Sequence, residues 1–306
     1  MQKTAKLSTF LIILAVIAGG IFWLWQRQPK ANREQIKSEV KTNLGIENKK
    51  EGFDVTPSDQ TVLSSPTATF KGKTNPNNYV LIYSNYFQEV VVADKDGNFE
   101  KEAKLQDGLN LVNILSLASS LKVDDQNSQK ASLTFFVLKD SKGDSVFAGP
   151  VKTIFDSLVT ITTQAGDQNV RTSTSTEFTM PQAEDEEEES KEPVKNIRVG
   201  DYAVAVGEET ESDSIVAKKF EVIRDNKPQV TKAYATGVIL TPVRQNLFSL
   251  KNNQDGKLIE FTLTKDSKIT LGGQTAKSAD IAKDKTAIIF FTTSSDKNNV
   301  ALIHIL

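Results

Sequence analysis

Four groups of residues in this chain are of types that could carry chemistry. The first is the run Glu184-Asp-Glu-Glu-Glu-Glu189, six carboxylates side by side. Hard cations such as calcium take carboxylate oxygens, but a working site spaces its ligands around a turn that contains a glycine, and this run has neither feature. Adjacent like charges with nothing apolar to bury predict a solvated loop. The second group, Asp94-Lys-Asp-Gly-Asn98, opens like a calcium loop. It lacks the remaining ligands and the distal bidentate glutamate, so the spacing predicts a plain turn with Gly97 supplying positive φ. The third is His304, the single histidine, third from the end in an apolar strand-like run. It has no second histidine to work with, and no Gly-x-Ser-x-Gly elbow marks a nucleophile, so a structural role is expected. The fourth is aromatic: Tyr79, Tyr83, Tyr86 and Phe87 fall within nine positions. Exposed rings at such an edge can stack on sugars or fill a partner's pocket, although strand alternation assigns half of them to a core. These four are the possible ligand surface.

Composition excludes much else. There is no cysteine, which removes disulfides, thiol nucleophiles, zinc fingers and iron–sulfur ligation. Basic and acidic residues nearly balance, 37 against 39, and the basic ones are not interleaved with aromatics, so no nucleic-acid partner is expected. The acids supply carboxylate pairs by number alone, and nothing places two on converging strand ends as a glycosidase requires. No catalytic set, metal site or cofactor is expected.

The elements that must position these groups begin with Leu7–Trp25, an apolar run without a charge. As a helix it rises roughly 28 Å, close to a bilayer core of about 30 Å. Lys3 and Lys6 precede it, and Trp23, Trp25, Arg27 and Lys30 follow as an interfacial belt. Cleavage after Val16-Ile-Ala18 is the alternative, but it would leave Gly-Gly-Ile-Phe-Trp-Leu-Trp at a mature N-terminus. An anchor in the lipid bilayer explains those side chains. Positive charge flanks both ends, so orientation rests on the short N-terminal tail, which favours an exported C-terminal part. Residues 27–52 read as a charged stalk, with Ile36, Val40 and Leu44 at helical spacing.

From Phe53 onward the pattern is short strands and turn formers. Thr67–Phe70 and Tyr79–Tyr83 flank a Gly-Asn-Pro cluster, and Glu89–Ala93 meets Asn98–Lys104 across the Asp94–Gly97 turn as a hairpin. Leu109–Ala118 and Ala131–Leu138 complete about seven strands, the count of a β-sandwich. Tyr79, Leu81 and Tyr83 are expected to face away from a core that takes Val80 and Ile82, in a sheet buried on one side. Phe70-Lys-Gly-Lys-Thr-Asn-Pro, Val92-Ala-Asp-Lys-Asp-Gly-Asn-Phe99 and Leu105-Gln-Asp-Gly-Leu-Asn110 resemble the bacterial immunoglobulin-like domains of surface proteins and extracellular glycosidases. That resemblance implies a spacer or adhesive module.

The second half repeats itself. Gly149–Ile161 matches Gly237–Ser249 in spacing, Thr176–Thr179 has a counterpart near Asp266–Thr270, Tyr202–Val206 matches Thr286–Phe290, and Ile215–Ala217 matches Asn299–Ala301. Five or six strands in such a span suffice to close a small barrel. Ile197-Arg-Val-Gly-Asp-Tyr-Ala-Val-Ala-Val-Gly207 with Ile215–Val222 resembles a family of small bacterial β-barrels of unassigned function. The second copy departs from it where Ala282-Lys-Asp-Lys replaces Arg-Val-Gly-Asp, as in a degenerate repeat.

The expected fold class is an all-β soluble part, an immunoglobulin-like β-sandwich plus two small β-barrels, behind one N-terminal transmembrane helix. The divisions are 1–26 anchor, 27–52 stalk, 53–140 sandwich, 146–225 first barrel with an acidic loop at 182–194, and 233–306 second barrel. The leading function is a non-catalytic, membrane-anchored envelope or cell-surface protein, with its soluble part extracytoplasmic, for display, adhesion or assembly with another envelope protein. Envelope glycan binding at the aromatic edge is the alternative, and a surface hydrolase the third.

Overall fold

Alternation of apolar and polar residues along short segments produces strands, as in Thr67–Lys73 and Ser214–Ile223. The computed structural model describes residues 54–121, 128–139, 141, 143–181, 192–211, 213–224 and 227–306. The anchor Leu7–Trp25, the stalk with Ile36, Val40 and Leu44, and the acidic run 184–189 lie outside the described residues. Among the described residues the fold is all-β, with two short 3-10 turns, and no helix is long and apolar enough to cross a membrane.

The first eight strands are β1 (Val55–Thr56), β2 (Thr61–Leu63), β3 (Thr67–Lys73), β4 (Tyr79–Tyr83), β5 (Gln88–Val92), β6 (Asn98–Lys104), β7 (Gly108–Leu117) and β8 (Gln129–Val137). They form two layers, β1-β3-β6 against β2-β8-β7-β4-β5, with β2 parallel to β8. Phe70, Phe99 and Ala103 from one layer meet Val80, Ile82, Val112, Ile114 and Phe135 from the other. The expected hairpin between Glu89–Ala93 and Asn98–Lys104 is corrected: β5 pairs with β4, and β6 pairs with β3 in the opposite layer. The turn instead carries the chain across the core, because Val91 and Phe99 must reach one interior from opposite sides. Gly97 (φ 84°) is needed there, since a Cβ would run into the Thr74 carbonyl. Asp94 accepts from the backbone N–H groups of Asp96 and Asn98 at 2.9 and 2.8 Å, which holds its carboxyl below the usual range.

Strands β9 (Asp144–Phe155), β10 (Leu158–Thr163), β11 (Gly166–Arg171), β12 (Glu177–Thr179), β13 (Tyr202–Glu211) and β14 (Ser214–Ile223) close a barrel in the cyclic order β9-β10-β11-β14-β13. Strands β15 (Ala233–Arg244), β16 (Leu247–Asn252), β17 (Leu258–Leu271), β18 (Gln274–Thr275), β19 (Thr286–Ser294) and β20 (Lys297–Ile305) close a second, β15-β16-β17-β20-β19. In both the third strand runs parallel to the fifth. This 1-2-3-5-4-1 connectivity makes each a closed five-stranded barrel.

The barrels correspond in detail. Gly149 and Gly237 sit where a Cβ would strike the carbonyls of Thr162 and Lys251, so strands one and two can approach closely only at glycine. Ile197 and Ile281, each just past a 3-10 turn, fill equivalent core positions. The turn at Ala282–Lys285 keeps the backbone bonds of Arg198–Asp201 despite its different residues. Gly200 N–H donates to Val151 O at 2.9 Å and Asp284 N–H to Ile239 O at 2.8 Å. Val151 N–H donates to Asp201 O and Ile239 N–H to Lys285 O, both at 2.8 Å. Asp284 takes the left-handed φ (66°) that Gly200 takes at 92°. The replacement changes charge and leaves the turn intact.

Candidate functional site

The outer face of the β5-β4-β7-β8 layer positions everything that follows. Strand alternation sends Leu109, Leu111, Asn113, Leu115 and Leu117 of β7 to this face, beside Leu81 and Tyr83 of β4 and Phe136 of β8. The expectation of a sheet buried on one side is corrected here, because both barrels dock on that face. The first barrel covers Phe136 and Leu109 with Val146, Ala148, Val204 and Val206. The second covers Leu81, Tyr83, Leu115 and Leu117 with Ile288, Phe290, Leu302 and Tyr234.

The four aromatics of the candidate ligand surface are not brought together on an exposed edge. Phe87 enters the sandwich core, its ring centroid 6.3 Å from that of Phe70. Tyr83 is buried under the second barrel, 5.3 Å from the Phe290 ring and 6.1 Å from that of Tyr234. Tyr79 packs at the rim of the same contact. Only Tyr86 is open, with 60% of its surface exposed. Its position follows from the turn Ser84–Phe87, where the Ser84 hydroxyl accepts from the N–H groups of Tyr86 and Phe87 and the Ser84 N–H donates to Phe87 O at 2.9 Å. Burial raises the phenol pKa of Tyr83, and it pushes Tyr234 up to about 12 with Tyr83 adding to the effect.

The same turn presents Asn85, which sequence reasoning missed. Its side-chain amide donates to Gln229 O at 2.7 Å and its carbonyl accepts from Thr231 N–H at 2.8 Å and the Thr231 hydroxyl at 3.1 Å. Residues 227–231 are thereby strapped across the sandwich face between the barrels, with Val230 packed into the contact beneath the second barrel. At the other end Arg224 donates to Asn196 O at 2.6 Å and pairs with Asp201 at 3.3 Å, while Lys227 Nζ donates to Gly200 O at 3.0 Å. Beside the strap lies an open groove of about 400 Å³, lined by Leu109 and Leu111 of β7, by Asn85 and Tyr86, and by Lys227, Pro228, Gln229 and Thr231 of the strap itself. Its volume is in the range of small-molecule sites.

His304 lies on β20 with its Nδ1 2.8 Å from the Thr270 hydroxyl on the neighbouring strand. Burial holds its imidazole below the ordinary value, and Lys101, itself 3.0 Å from Glu89, adds to that. Among the described residues no group of His, Asp or Glu side chains is arranged to hold a metal ion.

No protein-family model and no curated protein matches this chain. Three solved structures give distant likenesses. Apo-CusF of Escherichia coli is 15% identical over 28% of this chain and 95% of its own, with a TM-score of 0.21. A bacterial ice-binding adhesin described for its retention on the host cell surface is 9% identical over 83% of this chain and 95% of its own, with a TM-score of 0.21. A Ca2+-stabilized adhesin with which an Antarctic bacterium binds ice is 9% identical over 82% of this chain and 74% of its own, with a TM-score of 0.20. Scores near 0.2 define no shared fold, so function is read from the geometry of this chain alone.

Proposed function

We propose that this chain is a non-catalytic, membrane-anchored envelope or cell-surface protein whose β-structure is held outside the membrane for display, adhesion or assembly. The observation that carries the reading is the single sheet face on which both barrels are seated. Pieces of one chain move relative to each other unless the interface between them is extensive and apolar. Here Phe136, Val146, Val204 and Val206 close one contact, and Leu81, Leu117, Ile288 and Phe290 close the other. A head built this way behaves as one stiff body, which suits presentation on a stalk. The layers β1-β3-β6 and β2-β8-β7-β4-β5 support an immunoglobulin-like reading of the sandwich, and the apolar run Leu7–Trp25 supports the anchor.

The test is surface accessibility in cells producing the full chain. Intact cells are treated with protease and, in parallel, with a membrane-impermeant amine reagent that reports on exposed lysines such as Lys277 and Lys283. Labelling of those lysines in intact cells, with Leu7–Trp25 recovered in the membrane fraction, is the expected result. Protection from both reagents in intact cells, with reaction in inside-out vesicles, would place the β-structure on the cytoplasmic side and overturn the reading.

A further inference from the structure

We propose that the outer face of β9, β10 and β11 in the first barrel binds a neutral glycan, a pyranose ring stacking on Phe155 while Arg171, Asn169 and Thr153 hold its hydroxyls. Strand register places these side chains together. Leu158 lies opposite Phe155 on one side and Arg171 on the other, and Thr160 lies opposite Thr153 and Asn169 in the next row. Cross-strand partners share a face. Ile154, Val159, Ile161 and Val170 of the same strands turn the other way, into the barrel core. Two rows on three strands make a patch about 10 Å wide and about 7 Å long, room for one or two sugar rings. Phe155 is 75% exposed, the most open of the large apolar side chains described. An open ring bordered by hydrogen-bonding groups suits a pyranose, which offers CH groups on its face and hydroxyls at its rim.

The second barrel supplies the contrast. Its corresponding rows are Arg244, Leu247 and Thr262, then Thr241, Ser249 and Glu260. The aromatic is missing there, and the hydroxyls of Thr241 and Ser249 bond each other at 2.8 Å. In the first barrel the Thr160 hydroxyl donates to Asn169 Oδ1 at 3.2 Å. The Asn169 amide N–H groups, the Thr153 hydroxyl and the Arg171 guanidinium have no partner among the described residues. Charge then selects against ions. Asp156, in the turn that follows Phe155, offsets Arg171 without forming an ion pair with it, and Lys152 at the far margin is paired with Asp167. A border so balanced draws neither anions nor cations, while carboxylate and guanidinium can accept from and donate to the hydroxyls of one sugar.

Such binding does not depend on which side of the membrane the barrel occupies, so the test uses the purified full-length chain in a sugar-free detergent. Maltotriose, cellotriose and N-acetylchitotriose are titrated by ligand-observed NMR, with trigalacturonate as the anionic control. Saturable binding of at least one neutral trisaccharide, tighter than that of trigalacturonate, is expected. Phe155→Ala and Arg171→Met should each weaken it about tenfold, and Phe155→Trp should preserve it. Arg244→Ala, at the equivalent position of the second barrel, should leave it unchanged. All three positions are exposed, and thermal unfolding checks that the variants fold. No saturable binding of any neutral probe, tighter binding of trigalacturonate, binding indifferent to Phe155→Ala, or an equal loss in Arg244→Ala would each overturn the proposal.

Discussion

The two barrels share strand order, turns, core positions and even the face by which they dock, yet they are attached by different means. Val146, Ala148, Val204 and Val206 of the first correspond to Tyr234, Thr236, Ile288 and Phe290 of the second, through matching cross-strand pairs in β9–β13 and β15–β19. The first barrel's set is small and aliphatic, and the backbone reinforces it. Strand β2 bridges β9, with Val146 N–H donating to Gln60 O at 3.0 Å, so sandwich and first barrel share one continuous sheet. The second barrel forms a sheet of its own. Side chains hold it: the rings of Phe290, Tyr83 and Tyr234, the Thr236 hydroxyl donating to Leu121 O at 2.7 Å, and the Asn85 latch on the strap. Where backbone pairing does the joining, small side chains suffice. Where it does not, large ones must supply the adhesion.

The sharpest way to break this comparison is at equivalent positions 206 and 290. Phe290→Ala should cost about 3–5 kcal/mol and should detach the second barrel before global unfolding. Val206→Ala should cost about 1.5 kcal/mol, two methyl groups' worth, without detaching the first. Hydrogen exchange resolved by segment distinguishes them, and equal effects at both positions would end the distinction.

A smaller effect comes from the latch. Asn85→Ala removes three hydrogen bonds from an exposed site, for about 1–2 kcal/mol in total. Amide exchange at Thr231 should accelerate while that in β9 and β13 stays as it was.

The acid limb of the pH dependence should arise at the second barrel's contact, whereas burial also raises the Tyr202 phenol at the first barrel's contact, so the alkaline limb involves both. His304 has a depressed pKa in the folded state, so its contribution is complete above about 6.5, the ordinary histidine value, and is lost as pH falls below it. Tyr83 and Tyr234 have raised values, so theirs is complete below about 10 and is lost as pH climbs toward the folded value of about 12 for Tyr234. Docking should thus weaken on both sides of neutrality, and His304→Gln should flatten the acid limb alone. An unchanged acid limb in that variant would remove histidine from the account. The smallest expected effect is at Phe155, three-quarters exposed at the β9–β10 turn. Phe155→Ser should shift stability by under about 0.5 kcal/mol, measured by thermal unfolding.

Local patterning made the strands legible. Val80 and Ile82 inside with Leu81 and Tyr83 on the other face is read directly from period two. Position 97 needed glycine, and Gly149 and Gly237 marked the matching barrel starts. The hairpin across Asp94–Gly97 was misread because a turn motif reports a reversal of direction and says nothing about which layer receives the next strand. The candidate site was less legible still. Asn85 meets Gln229 and Thr231 at separations of 144 and 146 residues, and no local periodicity encodes such a contact.

By itself, then, the sequence determined the β-periodicity, the duplication, the absence of thiol chemistry and the single histidine, because these depend only on residue type and short-range spacing. Tertiary structure alone decided that the outer sheet face is covered twice, that three of the four clustered aromatics are packed away, and that a groove opens beside Tyr86. Those outcomes follow from which apolar faces find each other once the strands exist. That choice is made by shape and burial among residues far apart in the chain.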